Sequence, residues 1–377
     1  MTTARAIVLG GGIAGLSAAL ALRRAGWAVE LFEQAPALQP LGAAISLWPN
    51  AMAALRLLGV AAPIEAAAVP IAAMLLATQA GRPLLGPWPV DAARHGETAY
   101  LPTRALVQQV LFDALTDVPV RLARRAESVR DLADRAVVRL DDGEEREADL
   151  LVAADGIWSS IGTTVARNPP RPCGYGGVLA LSDAVAGEPL DGLAAEYWGA
   201  AERFGVFDLG AGRRYWFFMA RDGAVALDHG SLTARARDWP ASVGAAIAAT
   251  PPERLLPVSI SARPAPSRLA QGRVIAVGDA AHAMEPNLGQ GACQAIEDAA
   301  ALGVLAARLP PDEVGAAFDR ARRGRVTGMM ARAREGGWAA HGSTLTRAAW
   351  RTMFRLTPPT LHRRMIAGLY RPPTITG

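Results

Sequence analysis

The chain has 377 residues and a formal net charge of +4, with 51% of residues hydrophobic and 20% charged. That excludes a disordered chain, is too long for one compact core, and suits two interleaved domains. The chain has arginine but no lysine, which rules out a lysine-bearing phosphate loop, a pyridoxal Schiff base and any lysine nucleophile. The arginines do not cluster with aromatics, so no nucleic-acid partner is expected. Cys173 and Cys293 lie far apart and make neither a disulfide framework nor a zinc site, which points to a reducing cytoplasm. The five histidines lack ligand spacing, and no metal is expected. Residues 6–22 superficially resemble a signal peptide, but Gly10, Gly11, Gly12 and Gly15 interrupt them. No later run reaches ~18 uncharged apolar residues, so no membrane span is expected.

In chain order, residues 4–9 are an apolar run suited to a buried parallel strand. A glycine turn follows. Residues 16–25 then read as a helix that ends in Arg23, Arg24 and the stop Gly26. Residues 29–32 form a second strand closed by Glu33, which completes a βαβ unit. Residues 137–140 alternate, Asp141-Asp142-Gly143 turn, and 148–153 return as a strand ending in Ala154-Asp155-Gly156. Between 178 and 218 the pattern is antiparallel, with Gly210-Ala211-Gly212 as a tight turn before an aromatic strand. On that strand Tyr215 and Phe217 share one face, and Trp216 and Phe218 the other. Residues 273–277 form a buried strand that delivers Gly278-Asp279. From Gln290 the pattern is helical, interrupted at Pro310-Pro311 and Pro358-Pro359.

Two constellations carry chemistry. In Gly10-x-Gly12-x-x-Gly15, Gly10 permits a tight turn, Gly12 lets backbone approach a pyrophosphate, and Gly15 packs the helix on the strand. The helix start, at Ile13 and Ala14, offers amides to phosphates. Glu33, at the end of the second strand, can bind ribose hydroxyls. Alone, this unit does not separate FAD from NAD. In the second constellation a strand brings Asp279 to its carboxyl end. Pro286 to Gly291 then form a loop whose backbone can approach a flat ring, with a helix N-terminus aimed at it. His282, next to that loop, reads better as a packed residue than as a catalyst.

The glycine triplet, Ala154-Asp155-Gly156 and Gly278-Asp279…Pro286-Asn287-Leu288-Gly289-Gln290-Gly291 together resemble the class A FAD-dependent monooxygenases, the para-hydroxybenzoate hydroxylase fold. The run from Gly42 to Asn50, Arg203, the Arg213-Arg214-Tyr215 strand and Phe318-Asp319-x-x-Arg322-x-x-Arg325 are similar to the FAD-dependent urate hydroxylases within that family. The resemblance implies an α/β chain. Segments near 1–70, 100–175 and 265–377 would form a Rossmann-like FAD-binding domain with C-terminal helices. Segments near 71–99 and 176–264 would form an interleaved, mainly antiparallel substrate domain.

By the same resemblance, Glu33, with Gln34 beside it, would hold the adenosine ribose. Ala44 and Ser46 would approach FAD, and Arg104 would lie near its phosphates and ribityl chain. Asp155 would serve FAD and pyridine nucleotide, and Asp279 the ribityl hydroxyls. Pro286 and the run Gly289, Gln290, Gly291, Ala292 would lie along the isoalloxazine. Arg203 and Tyr215 would face the substrate. The implied reaction has NAD(P)H reduce FAD. O2 then adds at flavin C4a, and one oxygen passes to a small aromatic, heteroaromatic or secondary-metabolite substrate. An epoxidase and an FAD reductase or dehydrogenase share these motifs, whereas a flavin-dependent halogenase needs a lysine. Two positions depart from the pattern. Gly162 replaces the arginine of the usual Asp-Gly-x-x-Ser-x-x-Arg, and Asn287 stands where urate hydroxylases have aspartate.

Overall fold

The computed structural model of the chain describes residues 3–38, 43–90, 92–183, 190–221 and 227–371, so Gly42 of the quoted motif lies outside it. The apolar runs assemble into two large sheets. The first has six strands in the order Ala270–Gln271, Val274–Ala276, Leu150–Ala153, Arg5–Leu9, Ala28–Phe32 and Val120–Arg121. All its pairings are parallel except the outermost, between Ala270–Gln271 and Val274–Ala276. Leu150–Ala153 and Val274–Ala276 are buried throughout, as befits parallel strands covered on both faces. The helices Ile13–Arg24 and Gly291–Ala306 pack together closely. A Cβ added at Gly303 would lie 3.0 Å from that of Ala21.

The second sheet has seven strands in the order Leu256–Ala262, Arg171–Ser182, Arg214–Ala220, Glu202–Asp208, Leu193–Trp198, Ala73–Thr78 and Pro83–Pro89. It is antiparallel apart from the parallel pair Leu193–Trp198 and Ala73–Thr78. Its faces part as the alternation predicts. Phe207, Phe217 and Met219 join the main core. Phe204, Trp216 and Phe218 build a second core with Trp239, Val243 and Ile247.

Two elements differ from the sequence reading. The single strand over 148–153 is two. Glu145–Ala148 pairs back antiparallel on Ala136–Leu140, while Leu150–Ala153 enters the parallel sheet. Asp149 marks the switch, its Oδ2 accepting from Arg5 N at 2.8 Å. The long helix Pro311–His341 also stops without a proline, because Gly342 intervenes and the Ser343 hydroxyl caps the next helix on Thr346 N at 3.2 Å. Among the described residues no helix is long and apolar enough to cross a membrane.

Candidate active site

The glycine turn closes as its spacing requires. Gly10 has φ +113°, and a Cβ there would collide with the Ala154 carbonyl. A Cβ on Gly15 would collide with the Gly10 carbonyl, so helix and strand touch through these two residues. At Gly12 a Cβ would meet nothing within 4 Å. Gly12 caps the helix without a side-chain hydrogen bond, and the first turn holds no acid. The amides of Ile13 and Ala14 therefore stand at the positive, uncapped end of the helix. Glu33 braces the turn, its Oε2 accepting from Gly11 N at 2.5 Å and its Oε1 from Ala35 N at 2.8 Å. Gln34 is exposed. Gln108, which sequence reasoning missed, donates to the Gly11 carbonyl at 3.0 Å.

Two aspartates stand at neighbouring strand ends. Asp155 follows Leu150–Ala153, and its Oδ1 is buried without a partner. Burial raises its pKa above the ordinary carboxyl value, opposed by the Ser159 hydrogen bond and the charge of Arg263. Asp279 follows Val274–Ala276 and is exposed. Arg263, fully buried at the end of the sheet, ties both loops together. Its Nε donates to the Asp279 carbonyl at 3.0 Å. Its Nη2 donates to the carbonyls of Ile157 at 2.5 Å and Ser159 at 3.0 Å, and its Nη1 to Thr163 Oγ1 at 2.9 Å. No motif marked this residue in the sequence; only the tertiary fold brings it here. Gly162 also belongs to this corner, since a Cβ there would strike the Ala280 carbonyl, so its helix docks directly on the Asp279 turn.

The second glycine loop is held from beneath. Residues Pro286–Leu288 make one helical turn, and Gly289 has φ +62°. Trp48 Nε1 donates to the Leu288 carbonyl at 3.0 Å, and a Cβ on Gly289 would lie 2.8 Å from that nitrogen. Cys293 Sγ reaches the Ser46 carbonyl at 3.3 Å. Ala44 pairs with Thr103, and Arg104 N donates to the Ala43 carbonyl at 3.2 Å. Ala44, Ser46, Arg104 and the Gly289–Ala292 run thus adjoin. The helix Gly291–Ala306 begins without a side-chain cap. The Gln290 side chain turns inward to Asn50, so only its backbone remains for a ligand.

Below lies a buried ionic cluster. Arg322 bonds Asp298 Oδ1 at 2.8 Å, Glu297 Oε2 at 2.6 Å and Gln294 Oε1 at 2.9 Å. Arg325 grips both Glu297 oxygens at 2.5 and 2.6 Å. His282 Nε2 meets Asp298 Oδ2 at 2.6 Å, and Gly278 N donates to the same oxygen at 3.0 Å. His282 is therefore a packed structural partner.

On the second sheet, Arg203 is 2% exposed, and its Nε and Nη1 lack hydrogen-bond partners. Its guanidinium lies 5.0 Å from the Phe217 ring centroid, and Nη1 is 3.6 Å from Glu196 Oε2. Tyr215 shares this face. Burial raises its pKa, opposed by the charges of Arg203 and Arg104.

A profile of the family described as FAD binding domain matches residues 3–332. The chain belongs to this FAD-binding family. Within it, aurachin C monooxygenase/isomerase of Stigmatella aurantiaca is 38% identical over 314 residues, covering 81% of this chain and 82% of the relative. FAD-dependent urate hydroxylase of Klebsiella pneumoniae is 31% identical over 359 residues, covering 90% and 91%. The crystal structure of Klebsiella pneumoniae HpxO complexed with FAD and uric acid superposes with a TM-score of 0.87 at 28% identity, covering 97% of this chain and 96% of that one. The protein is an FAD-dependent monooxygenase of the class A flavin hydroxylase type.

The geometry fits the dinucleotide. An uncapped helix start opens at Gly12, the orphaned Asp155 Oδ1 is ready to accept from a donor, and two glycine loops admit close backbone approach. NAD(P)H fits the family as co-substrate.

Proposed function

We propose that the chain uses NAD(P)H and O2 to place one oxygen atom on a small aromatic or heteroaromatic substrate. The substrate would lie against the sheet face that carries Arg203, Tyr215 and Phe217. The observation that carries this reading is the buried Arg203 guanidinium, which keeps two unpaired N–H groups beside an aromatic wall. Unsatisfied buried donors are costly, and a substrate oxygen or anion would satisfy them. FAD supplies the redox chemistry when bound. Ile13 and Ala14 amides would take the pyrophosphate, Glu33 the adenosine ribose and Asp279 the ribityl hydroxyls. Asp155 and Arg104 would border the same cofactor. The Gly289–Ala292 backbone would lie along its ring, with Pro286, Ala44 and Ser46 close by. In this reading segments near 1–70, 100–175 and 265–377 serve the cofactor, and segments near 71–99 and 176–264 cover it.

Asn287 is an amide and cannot remove a proton near neutral pH, so urate is expected to be a poor substrate. A second reading, monooxygenation with isomerisation, draws support from the relative that acts on aurachin C. The test is reduced-nicotinamide oxidation with urate, aurachin C and a panel of phenols and hydroxy-heteroaromatics, with labelled O2 and product mass. Label in a ring product supports hydroxylation. Oxidation that yields only hydrogen peroxide for every candidate would favour a reductase instead, and efficient turnover of urate would defeat the argument from Asn287.

A further inference from the structure

One part-buried set of side chains has no role in the reading above, and it adjoins the Arg203 face through His341, whose Nδ1 meets the Ala201 carbonyl. Glu285 precedes the Pro286–Leu288 turn and packs under the helix Pro311–His341, where the absence of a side chain at Gly337 makes room for its carboxylate. Tyr175, on the strand Arg171–Ser182, donates its hydroxyl proton to Glu285 Oε2 at 2.9 Å. Asn287 Nδ2 donates to the same Glu285 oxygen at 3.0 Å, to Tyr175 Oη at 3.1 Å and to the Ala333 carbonyl at 2.8 Å. The Tyr175 ring stacks on His341 at 4.4 Å between centroids. His341 Nδ1 faces the Ala201 carbonyl at 3.0 Å and so carries the proton, which leaves the buried Nε2 as an unpaired acceptor. Burial and the charge of Arg203 hold His341 down to about 4, neutral at ordinary pH.

The set therefore presents one cation with spare donors, one neutral imidazole, one amide and one carboxylate. Of these, the carboxylate is the one already joined to a hydroxyl that can relay a proton to it, while burial and Arg203 make His341 a weak base. We propose that Glu285, reached through the Tyr175 hydroxyl, accepts a proton from the substrate. The substrate would then be an acidic phenol or hydroxy-heteroaromatic other than urate, with its hydroxyl at Tyr175 and its anion resting against Arg203. This rests on the reading that the Arg203 face holds the substrate.

In the step, the substrate O–H bond breaks and its proton passes to Tyr175 Oη. The tyrosine's own proton moves to Glu285 Oε2, and the tyrosine is regenerated. One part-buried negative charge is exchanged for another, so the net charge of the cluster does not change. That matters because a new uncompensated charge in such a place is strongly disfavoured. Burial raises Glu285 above the ordinary carboxyl range, opposed by its bonds from Tyr175 and Asn287 and by the charges of Arg334 and Arg203. The raised value brings the base closer to working pH. Burial raises Tyr175 too, so it relays a proton without holding the charge. Cys173, whose thiol burial pushes up to about 11, is the remaining titratable neighbour.

The probe is 4-nitrophenol, added to oxidised holoprotein without reduced nicotinamide, with the ionisation of the bound phenol read from its difference spectrum across pH. Tyr175→Phe, which removes the hydroxyl that donates to the phenolate, is expected to raise the bound probe's ionisation midpoint by about one unit or more, ~1.4 kcal/mol in favour of the neutral phenol, and Glu285→Gln, which removes a neighbouring negative charge, to lower it by a similar amount. Glu285→Asp should recover part of the shift. FAD content, measured on the same samples, should stay at the parent level in all three. Arg203→Ala should weaken probe binding at least tenfold.

A midpoint that is unchanged in Glu285→Gln and in Tyr175→Phe, with probe binding still dependent on Arg203, overturns the proton-acceptor role alone. Probe binding indifferent to Arg203 overturns the substrate-site reading and this proposal with it. No binding of the probe to the parent protein overturns the assignment of an acidic aromatic substrate. If Glu285→Gln loses its flavin, Tyr175→Phe decides the question.

Discussion

Replacing Arg322 by methionine removes one cation from a cluster with almost no access to water. Glu297 and Asp298 are each 0% exposed and Arg322 1%. In the parent cluster two guanidinium groups and the His282 ring face the two carboxylates. After the substitution Glu297 keeps Arg325 and Asn50, while Asp298 keeps only His282 and Gly278 N. Methionine preserves most of the buried stem, so the loss is mainly electrostatic. Removing one partner of a buried pair costs about 3–5 kcal/mol, a large part of a net stability of ~5–15 kcal/mol.

The pH dependence carries a sign. Burial acts to raise both carboxyls, but the charges of Arg322 and of Arg325 or His282 outweigh it and leave both below the ordinary range. The unfolded chain therefore binds more protons. The cluster's stabilisation is complete above the unfolded values near ~4 and disappears as pH falls through the lower folded values. Without Arg322, burial is opposed less and the folded pKa values rise. The variant's deficit should then narrow as pH is lowered from 7 to 5. Urea unfolding followed by tryptophan fluorescence at both pH values measures this. A deficit under ~1 kcal/mol, or one equal at both pH values, would refute the reasoning.

Three further outcomes are expected. Asp279→Ala should weaken FAD binding about tenfold or more by fluorescence titration, since each charge-assisted hydrogen bond lost is worth ~1.5–3 kcal/mol; retention of full FAD through dialysis speaks against its role. Arg263→Met leaves the carbonyls of Ile157, Ser159 and Asp279 without their donor, at ~1–3 kcal/mol for each that stays buried. FAD affinity and the thermal midpoint should therefore fall together, and unchanged values for both would show that the two loops hold their places without it. Arg203→Ala and Tyr215→Phe should impair substrate-stimulated oxidation of reduced nicotinamide while FAD content stays near parent level; flavin loss with a normal substrate response would reverse that assignment.

The dinucleotide turn was legible because Gly10 takes a positive φ and Gly15 touches the Gly10 carbonyl within one βαβ unit, which local spacing encodes, although the Ala154 carbonyl that also crowds Gly10 comes from another strand. The two faces of the aromatic strand were legible for the same kind of reason, period-two alternation. Arg263 and Glu285 were not. Each acts through partners on other elements, Arg263 through Ile157 and Thr163, Glu285 through Tyr175, and no periodic signal joins them. Even the Arg322-x-x-Arg325 motif was visible only as a word, with nothing to show that its arginines face Glu297 and Asp298. That they meet in one ionic cluster required the packing of the helices Gly291–Ala306 and Pro311–His341.

The seven-stranded sheet also constrains how such a protein can diversify. Alternate residues along one strand answer to different demands. Trp216 is anchored on the far side, its Nε1 donating to Thr250 Oγ1 at 2.8 Å, while Tyr215 and Phe217 face the other way. Lineages can therefore exchange near-side residues for a new ring shape without loosening the scaffold, but only by substitution. A single-residue insertion would turn the anchors outward and the near-side residues inward. Even substitutions are not all independent. The Phe217 ring fills the space that a side chain at position 205 would need. Gly205 and Phe217 therefore form a linked pair, and any relative that enlarges the first is expected to have shrunk the second.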